Sequence, residues 1–447
     1  MTVELRHVAE TPVGESLPRL DTFVSPIVGI VNDVVDLLPA TTEPRLHCVG
    51  CTVTDATALI GNWINEYTGS SKTTHAAARA AGIGEALERY SASFLPDNEF
   101  VTASAEELGP DAVDPERFAL FVESQWADPA RNIHPFRRDT VVRWVRGFAV
   151  PSGEPAWLPV QLVYMSWTRG EGDDTRIGFA TSSGVACGPT LEEAVLTALL
   201  ELIERDAVML AWHNRLSLPL LDWSDDPEIS DLDARYFRPA GLRYSAVDLS
   251  VFMELPVVLG IVHGIPGQLG ALGIGASAAA TVRDAWLGAL AEAFSVQRWT
   301  RDRALENPDE LEVSPETMLT FDDHTIWYAS HERATLAAFL DSSPERRGVR
   351  DVPTLEGEDV LERIEAVCRR LKDRDCTVYA VDITAPDVRE GGFRVVHAIV
   401  PELVQLDVVA GLRFLGARRL YHAAYEAGLV PRPLTIDDLN PFPHPFP

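Results

Sequence analysis

The chain has 447 residues, 46% of them hydrophobic, which suffices for one large or two ordinary globular domains with a sizeable core. Its formal net charge of −29 argues against nucleic-acid binding, because so acidic a surface repels phosphate backbones and anionic lipid and no block of lysine or arginine reverses the field. No charged-then-apolar leader opens the sequence and no apolar run approaches the ~18 residues of a membrane span, so a cytoplasmic protein is expected.

Scattered prolines and short apolar runs predict that residues 1–45 form an N-terminal arm packed on the main body. Just after the arm, Cys48 and Cys51 form a C-x-x-C motif. The motif is compatible with half of a zinc site or with a redox pair, but no second half with matching spacing follows. The chain has five cysteines, an odd and sparse set that fits reduced thiols and predicts no disulfide.

Three helices with related acidic patterns are predicted. The longest covers residues 190–212, where Pro189 precedes a capping Thr190 and the interior is alanine, leucine and glutamate. Residues 73–93 repeat its E-x-x-E-R arrangement, and residues 281–299 keep its eight-residue acidic spacing. The acidic and flanking basic residues are Glu85, Glu88 and Arg89 in the first helix, Glu193, Glu201, Glu204 and Arg205 in the second, and Asp284 and Glu292 in the third, where Ser295 replaces the second glutamate.

These carboxylates need a counter-charge, because no basic residue stands three or four positions before Glu201 or Glu204. A bound cation is the natural candidate. The alternative is a surface helix whose acidic residues face water, and repetition of the pattern in three helices favours the cation.

Small-residue segments precede the three helices: Gly69–Lys72, Thr181–Gly184 and Gly273–Ser277. We interpret them as loops in a repeated strand, Gly/Ser turn and helix unit. Such a loop at a helix N-terminus presents backbone N–H groups to a phosphate, although plain turns are the alternative. Lys72 lies in the first loop, which is not a Walker A motif, and a solvated loop lysine is the other interpretation.

The rest of the chain is predicted from composition and periodicity. Residues 101–150 are expected to be mostly an inserted surface segment that ends in an apolar strand, and residues 303–350 a polar excursion on the surface. Beyond Cys376, two strands flank a turn at Pro386–Gly392, and a last helix runs over roughly residues 410–427.

The chain ends in NPFPHPFP, where alternating prolines force extended or polyproline II geometry. A disordered tail or a ligand for an SH3-like domain is compatible with this pattern. A rigid tail could also deliver Pro447 into a cleft.

The two E-x-x-E-R helices, the loop SSGVACG, the segment VDITAPDVREGGFRVVHAIVPEL and the terminal Pro-x-Pro-x-Pro together resemble the YcaO family, specifically its azoline-forming cyclodehydratases, the D proteins of thiazole/oxazole-modified peptide biosynthesis. The similarity covers about residues 20–447. It implies an α/β, YcaO-type fold of repeated strand–loop–helix units, with mixed sheets flanked by helices around an acidic cleft for ATP and Mg2+. The implied organisation is an N-terminal arm at 1–45, an ATP-binding catalytic domain at 46–430 and a proline-rich tail at 431–447.

Carried over by position, the resemblance implies three sets of functional residues. Departures from the family pattern are Ser295 and the small residues Ala81 and Gly82 before the first E-x-x-E-R. The implied metal ligands are Glu85, Glu88, Glu201, Glu204 and Glu292; the implied nucleotide-binding residues are Lys72, Ser183, Glu85, Arg89, Glu193, Glu201, Arg205 and Glu292; and the implied catalytic candidates are the Pro447 carboxylate and His444, for which an exposed tail residue is the alternative.

The activity that the resemblance implies is ATP-dependent cyclodehydration of Cys, or Ser/Thr, in a ribosomal precursor peptide, as in bacteriocin biosynthesis. The implied partners are that peptide, an E1-like or leader-binding protein and a dehydrogenase that would complete azoles; no nucleic acid or membrane is expected, and a homodimer is compatible with the family. Alternatives are a non-catalytic docking scaffold and a thioamide- or amidine-forming enzyme of the same family.

Overall fold

The computed structural model describes residues 2–57, 67–96, 99–166 and 175–447, and three β-sheets form the framework of these ranges. The strands are β1 Val31–Leu37, β2 His47–Val53, β3 Tyr67–Lys72, β4 Val101–Ala103, β5 Val142–Ala149, β6 Pro155–Pro159, β7 Val185–Gly188, β8 Leu220–Asp222, β9 Arg243–Asp248, β10 Val257–His263, β11 Leu272–Ala278, β12 Arg346–Gly348, β13 Tyr379–Asp382 and β14 Arg394–Ile399. The α-helices are α1 Val13–Leu20, α2 His75–Ser93, α3 Ala105–Leu108, α4 Glu123–Trp126, α5 Leu191–His213, α6 Pro227–Leu232, α7 Val282–Glu306, α8 Phe321–Trp327, α9 His331–Ala334, α10 Val360–Lys372, α11 Pro386–Glu390 and α12 Arg418–Glu426.

Each sheet carries one of the three acidic helices. The first sheet is antiparallel, has the strand order β1-β2-β3 and packs on α2. The second has the order β4-β5-β13-β14-β7, with β6 paired to β5, and packs on α5. The third has the order β11-β10-β9-β8-β12, in which β12 pairs with β8 in parallel, and packs on α7. The predicted α/β class with mixed sheets and flanking helices is therefore confirmed. Within the described ranges, no helix combines the length and apolar character that crossing a membrane requires.

All three acidic helices begin at a threonine cap. The hydroxyls of Thr74, Thr190 and Thr281 accept hydrogen bonds from the backbone N–H three residues later, which satisfies one of the free donors at each helix N-terminus. Helix α5 is the most deeply buried, with its alanine, leucine and valine side chains packed in the largest core cluster. The strongest sequence prediction, a long helix over 190–212, is confirmed to within one residue.

Two of the three predicted Gly/Ser loops are wrong. Residues 69–72 lie at the end of β3 and residues 273–277 lie inside β11, whereas only 181–184 precede their strand as a loop. The small residues serve close packing instead: a Cβ on Gly275 would lie 2.6 Å from the Cβ of Glu292 on α7. Glycine therefore lets the acidic helix approach the strand, which a sequence pattern cannot distinguish from a turn.

Other expectations also change in the structure. The C-x-x-C motif is not a ligand pair, because Cys48 and Cys51 lie on β2 three residues apart and so point to opposite faces of the sheet. Strand β1 lies within residues 1–45, the predicted arm, and pairs along its length with β2, which lies in the predicted catalytic domain. The first sheet therefore contains residues from both sides of position 45. The turn at Pro386–Gly392 contains the short helix α11, with proline at its first position.

The segments predicted to lie on the surface contribute to the core. Phe121 and Ile133, within 101–150, form a buried cluster with Phe414. Within 303–350, His324 is fully buried and Tyr328 is 1% exposed. The last helix begins at Arg418 rather than near 410, since Gly411 and Gly416 precede it and disfavour helix.

Asp206, directly after the E-x-x-E-R motif of α5, joins this helix to α12. It is fully buried; Arg419 Nε donates to both of its carboxylate oxygens at 2.9 Å, and the Val404 N–H donates to Oδ1 at 2.9 Å. Asp206→Asn would leave the Arg419 charge buried without its partner, so we expect a loss of about 3–5 kcal/mol in the free energy of unfolding. Urea denaturation followed by tryptophan fluorescence measures it. The exposed Asp437→Asn is the control, and equal midpoints for the two variants would contradict the prediction.

Candidate functional site

A glutamate near the middle of each acidic helix accepts a hydrogen bond from the chain that precedes its own helix. Glu85 accepts from the Gly69 N–H at 3.4 Å, Glu201 from the Gly184 N–H at 3.2 Å, and Glu292 from the Ala276 N–H at 2.6 Å. The sequence separations are 16, 17 and 16 residues. The predicted repetition is thus present as three strand–helix units without a common Gly/Ser turn, and the same contact fixes one carboxylate in each copy.

The three units meet around one acidic region. Burial, and then the charge of Glu292, raise the pKa of Glu204, whose Oε2 also accepts from the Ala278 N–H of β11 at 3.0 Å. Between α7 and the first sheet, the hydroxyls of Ser295 and Ser71 are 2.8 Å apart. Ser295, which replaces an expected glutamate, therefore closes the contact between the third unit and the first.

Arginine neutralises part of the acidic region from within the same helices. Arg205 pairs with Glu201 at 2.6 Å and donates to the Ser183 hydroxyl at 2.8 Å, while Arg89 pairs with Glu85 at 3.4 Å and Glu88 at 3.3 Å. Arg205, four residues after Glu201, therefore supplies part of the counter-charge that the sequence predicts for these carboxylates.

Arg89 and Arg205 both have side-chain N–H groups with no hydrogen-bond partner among the described residues. Considering the residues that the structure describes, the buried Nε atoms of Arg89 and Arg205 make no hydrogen bond, whereas Nη1 of Arg89 lies 3.3 Å from the Glu88 carboxylate. Buried guanidinium N–H groups without acceptors are costly, so these atoms suit the oxygens of a bound anion.

Three carboxyl groups of this region, those of Glu88, Glu204 and Glu292, have pKa values above the ordinary value for glutamate. Burial raises the pKa of Glu204 to about 8 and that of Glu292 to about 7. Burial also raises the pKa of Glu88, opposed by Arg89 and reinforced by the charge of Glu201 on the neighbouring helix. A carboxylate that burial and like charges push toward its neutral form is one that a divalent cation would return to its charged form.

These residues fit Mg2+ together with a polyphosphate. Magnesium prefers carboxylate oxygens and is commonly shared between one or two carboxylates and substrate phosphates, which leaves the free arginine nitrogens for other phosphate oxygens. Across the described ranges, the one group of three possible ligands with all atoms within 4.8 Å is on the surface and unrelated, formed by His7, Asp359 and Glu362. The acidic-helix carboxylates are spaced more widely, which suits ions bridged by phosphate rather than a cage made by protein alone.

Magnesium nucleotide binding is expected to tighten with rising pH. Glu204 and Glu292 have folded pKa values above the ordinary 4.5, so the metal-free fold binds more protons than the unfolded chain and loses stability as pH rises toward 8. The cation must displace these protons, so its affinity should increase by up to about tenfold per proton and pH unit between about pH 6 and pH 8. Isothermal titration with the Mg2+ complex of a non-hydrolysable ATP analogue, in buffers of different ionisation enthalpy, should detect proton release. Proton uptake, or an affinity that falls with pH, would contradict it.

The other predicted nucleotide-binding residues lie at the edges of this region. Lys72 is exposed at the end of β3, and its positive charge offsets part of the rise that burial causes in the pKa of Glu292. Glu193 lies at the first turn of α5, where its carboxylate accepts from the Thr11 N–H at 2.6 Å and from the hydroxyls of Thr11 and Thr190 at 3.0 and 2.9 Å. Glu193 thus clamps the N-terminal arm to α5, a contact over 182 residues that its spacing did not reveal.

The proline-rich tail is docked in the protein. His444 and Phe446 are each 1% exposed; Tyr328 Oη donates to the Pro443 carbonyl at 2.6 Å, and Trp212 Nε1 donates to the Phe442 carbonyl at 3.1 Å. The alternatives of an exposed His444 and a free tail are therefore wrong. The imidazole donates through Nε2 to a buried backbone carbonyl, and burial holds the pKa of His444 well below its ordinary value.

An apolar cleft lies beside the second unit. Its walls include Phe179, Phe414 and Leu202, and Ser183 and His397 supply polar atoms next to Arg205. Sequence reasoning missed His397, although the residue lies within the segment VVHAIVPEL. Its imidazole nitrogens face two backbone carbonyls, a contact with no local sequence signal.

The chain is similar to known proteins in both sequence and fold. Residues 70–404 match the family model described as YcaO cyclodehydratase, ATP- and Mg2+-binding. A curated but uncharacterised protein of Methanothermobacter thermautotrophicus is 31% identical over 181 residues, which is 40% of this chain and 43% of that protein. A heterocyclase solved in complex with substrate and cofactor has a TM-score of 0.81 and 25% identity, and the match covers 100% of this chain but only 59% of the longer heterocyclase chain. The YcaO protein of Methanopyrus kandleri, solved with AMPPCP and Mg2+, shares the fold with a TM-score of 0.62, 20% identity and coverage of 90% of this chain and 94% of that one.

Proposed function

Because the chain belongs to the YcaO family, whose cofactors are ATP and Mg2+, we propose that it is an ATP-dependent cyclodehydratase that converts Cys, or Ser/Thr, residues of a ribosomal precursor peptide to thiazolines or oxazolines. The observation that carries the proposal is the threefold carboxylate contact: Glu85, Glu201 and Glu292 are each held by a backbone N–H around one acidic region. A scaffold without catalysis would have no need to gather five carboxylates around only two arginines.

In this proposal the site divides its work between carboxylates and guanidinium groups. Glu85, Glu88, Glu201, Glu204 and Glu292 would hold Mg2+, which when bound would neutralise charge on the transferring phosphoryl group. The Nε–H groups of Arg89 and Arg205 would donate to phosphate oxygens. The Ser183 hydroxyl, held by Arg205, contacts the nucleotide, and Lys72 and Glu193 act at its edge.

The reaction would begin with attack of a Cys thiol, or a Ser/Thr hydroxyl, on the preceding amide carbonyl. The former carbonyl oxygen then takes the γ-phosphoryl group of ATP and leaves as inorganic phosphate, while the amide nitrogen loses its proton as the ring C=N bond forms. The net change in the peptide is the loss of one water, with ADP and phosphate as products. The protein contributes positioning and electrostatic stabilisation.

The nucleophile also needs a base. The Pro447 carboxylate is the favoured candidate, because the rest of the tail is anchored and Pro447 itself is half-buried at the chain end. His444 is the weaker candidate, since its ring is buried and one nitrogen already donates to a carbonyl.

A leader-binding partner, E1-like or otherwise, is part of the proposal, and a dehydrogenase would follow where azoles are formed. The chain matches only part of the length of the substrate-bound heterocyclase, so its whole activity and partners are proposed from the shared region. Ser295, a departure from the family pattern, packs its hydroxyl against that of Ser71, so its place in the site does not depend on a scaffold role.

Mass spectrometry of a candidate precursor peptide tests the function. The peptide is incubated with this protein, its partner, Mg2+ and ATP, and phosphate release is measured in the same sample. Loss of one water mass per modified residue, matched by one phosphate and dependent on Mg2+, is the expected result. Exchange of oxygen for sulfur would indicate thioamide chemistry. Loss of water that fragment ions locate at a residue other than Cys, Ser or Thr would indicate amidine chemistry, and a protein that binds no Mg2+–nucleotide complex would indicate the scaffold.

A further inference from the structure

The segment Thr181–Gly184 is held in place by the acidic helix that follows it. Arg205 donates to the Ser183 hydroxyl at 2.8 Å, and the Gly184 N–H donates to Glu201 at 3.2 Å. Gly184 has φ of +83°, and a Cβ there would lie 2.6 Å from the Ala398 carbonyl oxygen. A small shift of this segment would therefore move the groups that orient both Glu201 and Arg205.

A histidine on another strand holds the same segment from behind. His397 lies on β14 and is 4% exposed; its Nδ1 is 2.6 Å from the Val163 carbonyl oxygen and its Nε2 is 3.2 Å from the Ser183 carbonyl oxygen. Carbonyl oxygens only accept, so each contact requires a donating ring nitrogen; a neutral imidazole donates to one of them and the imidazolium donates to both. A hydrogen bond from His397 to the Ser183 carbonyl therefore restrains the same residue whose hydroxyl accepts from Arg205.

We propose that His397 is a positioning residue of the nucleotide site: its Nε2–H donates to the Ser183 carbonyl and so holds the Ser183 hydroxyl and the Gly184 N–H against Arg205 and Glu201. The inference concerns the ATP and Mg2+ site and does not depend on the identity of the peptide. A histidine that only filled the core would not contact the segment that carries Ser183. His397 contacts that segment through one of its two hydrogen bonds, and the other goes to Val163.

Two substitutions separate the two hydrogen bonds. The side-chain amide nitrogen of glutamine reaches approximately the position of Nε2, and that of asparagine the position of Nδ1. His397→Gln therefore keeps donation to Ser183, while His397→Asn keeps donation to Val163. We expect His397→Gln to bind the Mg2+ complex of AMPPCP within about threefold of the wild type, and His397→Asn to bind about tenfold more weakly, the effect of one lost hydrogen bond.

The primary measurement is isothermal titration of the full chain with Mg2+–AMPPCP, accompanied by hydrogen exchange over residues 176–190 and by melting temperatures. Faster exchange of this segment in His397→Asn but not in His397→Gln would support the proposal. If cyclisation is observed, the KM for ATP should rise in His397→Asn while kcat at saturating ATP changes less.

Equal affinities for both variants, or equal losses that follow their melting temperatures, would overturn the proposal. If His397→Asn fails to fold, His397→Met replaces it. Methionine donates to neither carbonyl, so comparison with His397→Gln still isolates the hydrogen bond to Ser183. Because the titration contains no peptide, a protein that binds nucleotide but forms no ring would refute the proposed function without affecting this test.

Discussion

Replacing Glu204 by glutamine is expected to lower ATP-dependent turnover by at least about 100-fold, comparable to removing one group that stabilises transition-state charge. Glu204 accepts from the Ala278 N–H of the third unit and is pushed toward its neutral form by burial and by Glu292. Glutamine has nearly the same shape and retains an accepting oxygen, but it cannot supply the negative charge that Mg2+ requires. Phosphate release and loss of water from the peptide, measured together, report the effect.

The matched control is Glu106→Gln, an exposed glutamate in the first turn of α3. Because Glu204→Gln removes a buried charge, its metal-free melting temperature should equal or exceed that of the wild type at about pH 8, where the native carboxylate is partly ionised. A variant that is as stable as the wild type but inactive would separate charge loss from misfolding. Retention of more than about one tenth of the activity would contradict the assignment of Glu204 as a metal ligand.

Extending the chain by one glycine after Pro447 is expected to lower kcat strongly while Mg2+–nucleotide binding stays within about threefold of the wild type. One added residue displaces the terminal carboxylate by up to about 3.5 Å, which is large for proton transfer, whereas Phe446 and its core contacts are unchanged. Single-turnover cyclisation, measured by mass spectrometry against time, reports the chemical step.

Deletion of residues 443–447 is the harsher comparison. It removes the Pro443 carbonyl that accepts from Tyr328 and the buried ring of Phe446, so a loss of about 3–5 kcal/mol in the free energy of unfolding is expected from the phenylalanine alone. Ring formation should disappear in this variant as well, but stability loss alone could cause that. The glycine extension is therefore decisive: unchanged kcat in the extended chain would remove Pro447 as a base and leave the tail a packing role.

Much of the site was predictable from sequence because helices impose a local geometry. The i, i+3 and i, i+4 spacing places Glu201, Glu204 and Arg205 on neighbouring positions whatever the surroundings, and threonine caps mark where each acidic helix begins. Repetition of the pattern then predicted three related units, and each unit has one glutamate hydrogen-bonded to its own preceding segment.

Contacts between distant segments were not predictable in this way. The family resemblance implies a nucleotide contact for Glu193, and the structure adds a contact with Thr11, which donates to both of its carboxylate oxygens. Nothing in either segment encodes that contact. The glycines of β11 predict a loop, but the structure places them in a strand, because the sequence does not distinguish a glycine that permits close helix packing from one that permits a turn. His397 had no signal at all, since its side chain meets the carbonyls of Val163 and Ser183, which lie 234 and 214 residues away in the sequence.

The sequence by itself therefore determined the α/β class, the three acidic helices and the residue types suited to Mg2+ and phosphate, since these depend on short-range periodicity, capping and the chemistry of carboxylates. Only the tertiary structure decided which carboxylates share one region, that Ser295 contacts Ser71, and that the proline tail is docked with His444 buried. Those outcomes depend on strand register and on burial, which sum many weak contacts between residues hundreds of positions apart and are invisible in any short segment.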